Sequence, residues 1–199
     1  SKNHCVVPVH IGDQWLHLLV SHPVPPVFDG PEDRNGRRNH DEIRLWADYL
    51  TPGKAAYLID DQGQRGGFGG KRFVILGDYN ADPRDGDSTA HAIDQLLQHP
   101  LVAATAPRSS GGVAAARRQG GANLAHRGDP ANDTGDFADR RGPGNLRLDY
   151  VLPSRNLRVV GSGVFWPAPG EAHHALVGDG AEVVSSDHRL VWVDLEFER

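Results

Sequence analysis

The chain has 199 residues, of which 38% are hydrophobic and 24% charged, and we expect one globular domain over residues 1–199 with a sizeable core. A formal net charge of −5 argues against a general nucleic-acid coat or a membrane-surface protein, because both need a basic face. The single cysteine, Cys5, excludes an internal disulfide framework, and no apolar run approaches the roughly 20 residues that cross a bilayer.

The N-terminal segment has the pattern of a β-hairpin. Two apolar runs, residues 6–11 and 15–22, are separated by Gly12 and a following aspartate, which is typical of a tight turn between strands. The second run ends in His22. This histidine therefore stands at the end of a predicted strand.

A loop and a helix follow the hairpin. Residues 23–38 are rich in proline, glycine and charge, so they predict a surface loop. Apolar residues at the spacing of one helical face then predict a helix over residues 39–50. Asn39 would be its N-cap, with Glu42 three residues later in a capping-box arrangement.

A buried strand is predicted at residues 73–76, an unbroken apolar run of β-branched and aromatic residues. Asp78 and Asn80 follow it, and side chains two residues apart point the same way from an extended backbone. A carboxylate and an amide would thus be presented at the carboxyl end of a core strand, where α/β sheets bind ligands. The same residues could equally begin a turn that Pro83 makes rigid.

Residues 106–145 predict a long loop within the domain, because they are dominated by Gly, Ala, Arg, Asp and Asn and have few large apolar side chains. The arginines of this region, with Arg147 just beyond it, suit bidentate contact with phosphate. Two interpretations stay open: a loop that covers the substrate, and a mobile, solvated insertion.

Three further apolar runs, residues 148–152, 157–164 and 190–197, predict the remaining strands, the last of which would close the sheet. Asp149 is a lone carboxylate inside the first of them. Because burying an unpaired charge is unfavourable, it needs a partner, and a histidine is its natural companion. His188 stands directly before the last run.

Three motifs in this order resemble the endonuclease/exonuclease/phosphatase superfamily, the DNase I-like metal-dependent phosphoesterases. They are GDYNADP at residues 77–83, LDYVL at 148–152 and SSDHR at 185–189. The resemblance implies an α/β fold, a DNase I-like α/β sandwich of two mixed β-sheets flanked by helices.

The resemblance also implies roles for the acids. Asp187 would hold a metal ion together with Asp78, which would also orient or deprotonate the attacking water, and Asn80 would bind a phosphate oxygen. These hard oxygen groups favour Mg²⁺ or Mn²⁺ as the cofactor. The sequence has no cysteine cluster or HExxH motif that would indicate zinc.

For the histidines, the resemblance implies that His188 is the general acid/base or an electrostatic stabiliser, oriented by Asp149. His22 would contact the phosphate, although a surface histidine before a proline turn is an alternative. Arg147 is a third candidate for contact with the substrate phosphate.

The family's early asparagine and metal-binding glutamate have no counterpart in this chain. We therefore expect the fold to lack its N-terminal part, and an exposed sheet edge or apolar face that the missing half or a second copy would cover. The chain contains no methionine, so Ser1 is interpreted as the product of processing or trimming. This is compatible with a secreted bacterial protein.

The expected function is a divalent-metal-dependent phosphoesterase that hydrolyses a phosphodiester or phosphomonoester by in-line attack of an activated water. The alternative is a non-catalytic phosphate-ligand binding module, or an inactive fragment of such an enzyme. Nucleic acid, nucleotide, inositol phosphate and phospholipid head group all fit as the phosphate-ester substrate, although the net charge does not favour long DNA.

Overall fold

The computed structural model describes residues 3–180 and 182–197, which form an α/β fold. The strands are β1 (His4–Ile11), β2 (Gln14–Ser21), β3 (Phe73–Asp78), β4 (Gly135–Asp136), β5 (Asn145–Leu146), β6 (Asp149–Pro153), β7 (Leu157–Phe165) and β8 (Leu190–Phe197). The α-helices are α1 (Arg34–Leu50), α2 (Asp94–Leu97) and α3 (Ser110–Gln119). None of the helices within the described ranges is long and apolar enough to span a membrane.

The main sheet has the strand order β1-β2-β3-β6 and is mixed. The predicted hairpin is confirmed as the antiparallel pair β1/β2, β2 runs parallel to β3, and β3 runs antiparallel to β6. The strand β8 does not close this sheet. It pairs antiparallel with β7 in a second sheet, and β4 and β5 form a short separate ladder.

The two faces of β3 contribute to two different cores, because successive side chains of a strand point to opposite sides. Ile75 packs with Trp46 of α1 on one face. On the other face Val74 packs with Leu157 of β7, and Phe197 of β8 borders the same cluster. The first sheet therefore lies between a helix and the second sheet, and the predicted α/β sandwich is confirmed. Only the first sheet is mixed, because β7 and β8 are antiparallel.

The helix α1 begins at Arg34, five residues before the predicted start, so Asn39 is not its N-cap. Asn39 is fully buried inside the helix, and its Nδ2 donates hydrogen bonds to the carbonyls of Val24 and Tyr79. A polar residue that is typical of a cap instead joins the helix to the loop before it and to the end of β3.

Residues 106–145 are not a structureless loop, and that prediction is wrong. They contain α3, whose N-cap Ser109 accepts a hydrogen bond from the backbone N–H of Gly112 at 3.1 Å. Gly111 packs so close to Trp166 that a Cβ would overlap with the carbonyl oxygen of that residue. Small side chains thus pack here by close backbone approach, which a composition argument based on large apolar residues overlooks.

Candidate active site

Two carboxylates meet where β3 ends and β6 begins. Asp78 and Asp149 are direct cross-strand partners. Alternation places Asp78 on the same face of β3 as Val74, the face that meets the second sheet. Gly77 is required just before Asp78, because its φ of +148° and its closeness to the Ser21 carbonyl leave no room for a side chain.

His188 brings an imidazole to this pair of acids. Its Nδ1 lies 2.8 Å from Asp149 Oδ2, and its Nε2 lies 4.0 Å from Asp78 Oδ2. Because an ionised carboxylate can only accept, Nδ1 carries the hydrogen of the shorter contact. The segment of His188 is held by a β-bridge to Gly135, and the ring of Phe137 lies edge-on to the imidazole. The expected pairing of Asp149 with His188 is present.

Thr134 also forms hydrogen bonds with Asp149, and the sequence did not predict these contacts. Its hydroxyl donates to Asp149 Oδ2 at 2.7 Å and accepts from the backbone N–H groups of Leu148 and Asp149. Thr134 is 1% exposed, so these bonds are shielded from water. The residue lies in the stretch that was expected to be a loop, which is why no pattern indicated it.

His22 and Asn80 flank Asp78. The Nε2 of His22 lies 3.3 Å from Asp78 Oδ2. The backbone N–H of Asn80 donates to Asp78 Oδ1 at 2.8 Å, and its Nδ2 lies 3.3 Å from Oδ2 and 3.1 Å from the Pro23 carbonyl. Asn80 has a left-handed backbone with φ +49°, which asparagine tolerates. The two interpretations of Asp78 and Asn80 are thus compatible: these residues form a turn and also face the cluster.

The charges of the cluster shift two pKa values. Burial and the neighbouring Asp149 raise the pKa of Asp78, although Asn80 and the histidines act in the opposite direction. The hydrogen bond to Asp149 raises the pKa of His188 to about 8 against the effect of burial, and the charges of Asp149, Asp78 and Asp187 add to the rise. At neutral pH the site therefore holds an imidazolium between two acids.

Asp187 lies outside the tightest group of acids. Ligand atoms of Asp78, Asp149 and His188 all lie within 4.8 Å of one another, and no other such group of three occurs among residues 3–180 and 182–197. Asp187 is exposed, and its carbonyl accepts from the backbone N–H of Asp136. Its charge still acts on His188. The geometry places Asp149, instead of Asp187, beside Asp78, and the metal role of Asp187 stays a prediction.

Arg147 is not brought to this cluster. Its guanidinium lies 4.7 Å over the ring of Tyr150, and its Nη2 donates to the Thr105 carbonyl at 2.6 Å. Tyr150 belongs to the core beneath α1, on the opposite face of the sheet from Asp149. The expectation that Arg147 binds the substrate phosphate is corrected, because the side chain is engaged on the other face.

A buried ion pair holds the segment of His188, and it is a second feature that the sequence did not reveal. Arg189 donates from Nη2 to Asp136 Oδ2 at 2.7 Å, its Nη1 donates to the Ser186 carbonyl, and its guanidinium lies 4.6 Å over the ring of Trp166. The two charged side chains are 3% and 6% exposed. Arg189, the residue after His188 in the SSDHR motif, therefore fixes the segment that carries the histidine.

The chain matches the Endonuclease/Exonuclease/phosphatase family over residues 13–188. Its fold is similar to that of an endonuclease/exonuclease/phosphatase from Beutenbergia cavernae DSM 12333, with a TM-score of 0.52 and 18% identity over 96% of this chain and 38% of that one. At this identity the likeness concerns the fold alone.

Two further solved structures match with lower TM-scores. An endonuclease/exonuclease/phosphatase family protein from Leptotrichia buccalis C-1013-b has a TM-score of 0.44 and 15% identity over 96% of this chain and 52% of that one. Sphingomyelinase C from Streptomyces griseocarneus has a TM-score of 0.43 and 14% identity over 96% and 53%. No curated protein matches the chain significantly. The chain spans 38% to 53% of the length of these solved structures.

Proposed function

Because the chain belongs to the endonuclease/exonuclease/phosphatase family, we propose that its acid and histidine cluster is the active site of a divalent-metal-dependent phosphoesterase. The observation that carries this proposal is the position of His188, whose two ring nitrogens face Asp149 at 2.8 Å and Asp78 at 4.0 Å. A histidine oriented by one carboxylate and facing a second is suited to proton transfer.

His188 is the proposed general acid or electrostatic stabiliser. Asp149 accepts the Nδ1 hydrogen and so fixes the orientation of the ring, which leaves Nε2 directed toward Asp78. With a pKa of about 8, the ring is protonated at neutral pH. It can therefore donate a proton to the leaving oxygen or neutralise charge on the phosphoryl group.

Asp78 is the proposed base or orienting group for the attacking water. Burial raises the pKa of Asp78, so the carboxylate is a better proton acceptor than an exposed one. Asn80 bonds to this carboxylate and His22 lies beside it, with the His22 side chain 41% exposed. His22 is therefore accessible to a phosphate oxygen of a ligand that enters from solvent. The N–H groups of Asn80 already donate to Asp78 and to the Pro23 carbonyl, so a contact between Asn80 and phosphate would require one of these bonds to break.

The donor set of the cluster fits a divalent cation with a preference for oxygen ligands. Asp78 and Asp149 supply carboxylate oxygens close to one another, and the exposed Asp187 is near enough for its charge to act on His188. Asp78 and Asp187 would hold Mg²⁺ or Mn²⁺, as the resemblance implies. A bound cation of this kind neutralises charge on the phosphoryl oxygens and lowers the pKa of bound water.

The first test is hydrolysis of bis(p-nitrophenyl) phosphate and p-nitrophenyl phosphate by the 199-residue chain with Mg²⁺, with Mn²⁺ and with EDTA. We expect metal-stimulated turnover that falls by roughly 100-fold or more in His188→Ala, since general acid–base groups contribute about that much. His10→Ala is the matched control, because His10 is exposed on β1 and contacts Trp15 outside the cluster. The relative rates would distinguish a diesterase from a monoesterase.

A second measurement covers the case in which this chain alone has no turnover. Mn²⁺ is titrated while the imidazole signals are followed by NMR, and selective broadening of His188 that Asp78→Asn abolishes would place a cation at the cluster. Phosphate binding without turnover would favour the binding-module alternative. Unchanged turnover in His188→Ala, or neither turnover nor any effect of Mn²⁺ on His188, would contradict the proposal.

A further inference from the structure

His22 reaches the candidate active site from a segment with few hydrogen-bonding groups of its own. It directly follows β2, and its Nε2 lies 3.3 Å from Asp78 Oδ2. Of the four residues after it, 23–26, three are proline and lack a backbone N–H. Val24 is the exception. Its N–H is therefore the one backbone donor that can anchor this stretch.

The position of the His22 ring depends on its backbone. The side chain is 41% exposed. Across residues 3–180 and 182–197, Asp78 is the one side chain with which the imidazole forms an ion pair, and no hydrogen bond or aromatic contact holds the ring elsewhere. The segment 21–24 therefore determines whether His22 stays beside Asp78.

The helix α1 binds Val24 on both of its polar backbone groups. Glu42 Oε2 accepts from the Val24 N–H at 2.8 Å, and Asn39 Nδ2 donates to the Val24 carbonyl at 2.8 Å. The spacing of Asn39 and Glu42, which predicted a capping box, places both on one face of the helix. The pair binds the backbone of a neighbouring segment instead of the helix terminus.

Asn39 also joins this segment to the turn after β3. The same Nδ2 donates at 2.9 Å to the carbonyl of Tyr79, the residue between Asp78 and Asn80. One amide nitrogen thus bridges the segment that carries His22 and the turn that carries Asp78.

The residue before His22 is held by α1 as well. Trp46 Nε1 donates to the Ser21 hydroxyl at 2.8 Å, and that hydroxyl donates to the Tyr79 hydroxyl at 3.1 Å. Ser21 and Trp46 are both buried. The helix therefore fixes the backbone on either side of His22, through Ser21 and through Val24.

Asn39 is an unfavourable residue for a fully buried position. Its Oδ1 has no hydrogen-bond donor in the part of the chain that the structure describes, and a buried acceptor without a donor is destabilising. The bonds that offset this cost are those to Val24 and Tyr79. The amide is thus useful where the two segments meet.

We propose that Asn39 and Glu42 are positioning residues that hold His22 against Asp78, a role in catalysis that rests on the proposed function, in which a phosphate oxygen of the substrate meets His22. Asn39 is fully buried and Glu42 binds backbone, so both act through the histidine. Without these bonds the segment after β2 would move away from the turn after β3, and the imidazole would leave the cluster.

The first test follows the imidazole signals of His22 by NMR in EDTA, at one fixed pH and without substrate. Asp78→Asn should shift these signals in the wild-type background, because the two side chains are 3.3 Å apart. In Asn39→Ala and in Glu42→Ala, the same substitution should shift them by less than half as much. Glu42 is 18% exposed, so Glu42→Ala provides the comparison if Asn39→Ala does not fold.

Two further variants separate positioning from a general loss of stability. Glu42→Gln keeps an oxygen acceptor for the Val24 N–H and should retain the full shift of the His22 signals. Ile43→Val weakens the core next to Glu42 on the same helix, where Ile43 is fully buried, and should also retain the shift.

The second test is hydrolysis of bis(p-nitrophenyl) phosphate with Mg²⁺ or Mn²⁺. We expect kcat/KM to fall by about 10- to 100-fold in Asn39→Ala, since a displacement of about 1 Å can have an effect of that size. Made in His22→Ala, the same change should lower kcat/KM by less than about 2-fold, because residues that act through one another are not additive.

An unchanged shift of the His22 signals in both alanine variants, or an equal loss of the shift in Ile43→Val, would overturn the proposal. A fall in kcat/KM that is as large in His22→Ala as in the wild type would do so as well. A reduced shift in both alanine variants, with no turnover by the wild type, would support the positioning of His22 and contradict the proposed function alone.

Discussion

Thr134 links the backbone of β6 to the charged side chains of the candidate site. One hydroxyl donates to Asp149 Oδ2 and accepts from two backbone N–H groups, so it sets both the position and the charge distribution of that carboxylate. Asp149 in turn holds His188 at 2.8 Å. The orientation of the imidazole thus depends on a threonine that does not touch it.

Replacing Thr134 with valine tests this dependence. Without the hydroxyl, Asp149 directs more of its charge to His188, so the pKa of His188 should rise above about 8. The free energy of unfolding should fall by about 1–3 kcal/mol, because two buried N–H groups lose their acceptor. The NMR titration of His188 and urea unfolding measure the two effects. Thr134→Ser should restore both, and an unchanged pKa of His188 in Thr134→Val would refute the link.

His188 should make the stability of the chain depend on pH. Its pKa is raised to about 8 in the folded chain, above the ordinary value of 6.5. The resulting stabilisation is fully present below pH 6.5 and is lost as the pH rises through 8. The shift corresponds to roughly 2 kcal/mol. Urea unfolding in EDTA between pH 6 and 9 should show a larger loss in the wild type than in His188→Asn, in which the raised pKa of the buried Asp133 still lowers the stability up to about pH 8. An equal slope in both would mean that another group is responsible.

At the scale of elements, α3 shows that glycine can be required within a helix. Gly111 lies in its first turn against the backbone of Trp166, and the helix is anchored there by the hydrogen bond from Gly111 N–H to the Trp166 carbonyl at 2.8 Å. In a free helix, alanine would be favoured over glycine by up to about 1 kcal/mol. For Gly111→Ala, helix propensity therefore predicts a gain in stability, whereas packing against Trp166 predicts a loss.

We expect Gly111→Ala to lower the free energy of unfolding by about 2 kcal/mol or more, since the new Cβ would overlap with backbone instead of a flexible side chain. Gly69→Ala is the matched control, because a Cβ at Gly69 would meet no heavy atom within 4 Å. Chemical denaturation of both variants gives the comparison. Stabilisation by Gly111→Ala would show that helix propensity dominates and that α3 can shift away from Trp166.

At the scale of the whole molecule, the sequence predicted what depends on local pattern. Apolar runs located β2, β3 and β6, and the polar residues at their ends, Asp78 and Asp149, proved to be cross-strand neighbours. The sequence was less informative about which strands pair with one another. The alternation in β8 tells which side chains share a face, but it does not tell that the strand pairs with β7 in a second sheet.

Long-range polar contacts could not be predicted from the sequence either. Thr134 and the Arg189–Asp136 pair act through partners that are distant along the chain. Arg147 was assigned to phosphate because arginine suits bidentate contact with phosphate, and nothing in the local sequence indicated its contact with Tyr150. Composition also gave a wrong prediction for α3, because its small residues pack by close contact with a neighbouring backbone instead of through large apolar side chains.

The hairpin leaves an apolar edge on the molecule. Val6, Val7 and Ile11 of β1 are 39% to 44% exposed, and Trp15 of β2 is 55% exposed. The expectation that another part of the fold or a second copy covers such a surface stays a prediction.

The candidate site is assembled from segments that are far apart along the chain, since Asp78 ends β3, Asp149 opens β6 and His188 precedes β8. During synthesis from the amino terminus, both acids leave the ribosome well before the histidine that balances them. Until β8 docks on β7, the carboxylates of Asp78 and Asp149 repel one another without an imidazolium between them. Closure of the second sheet should therefore be the late event in folding that converts this end of the first sheet from a strained pair of acids into a competent site.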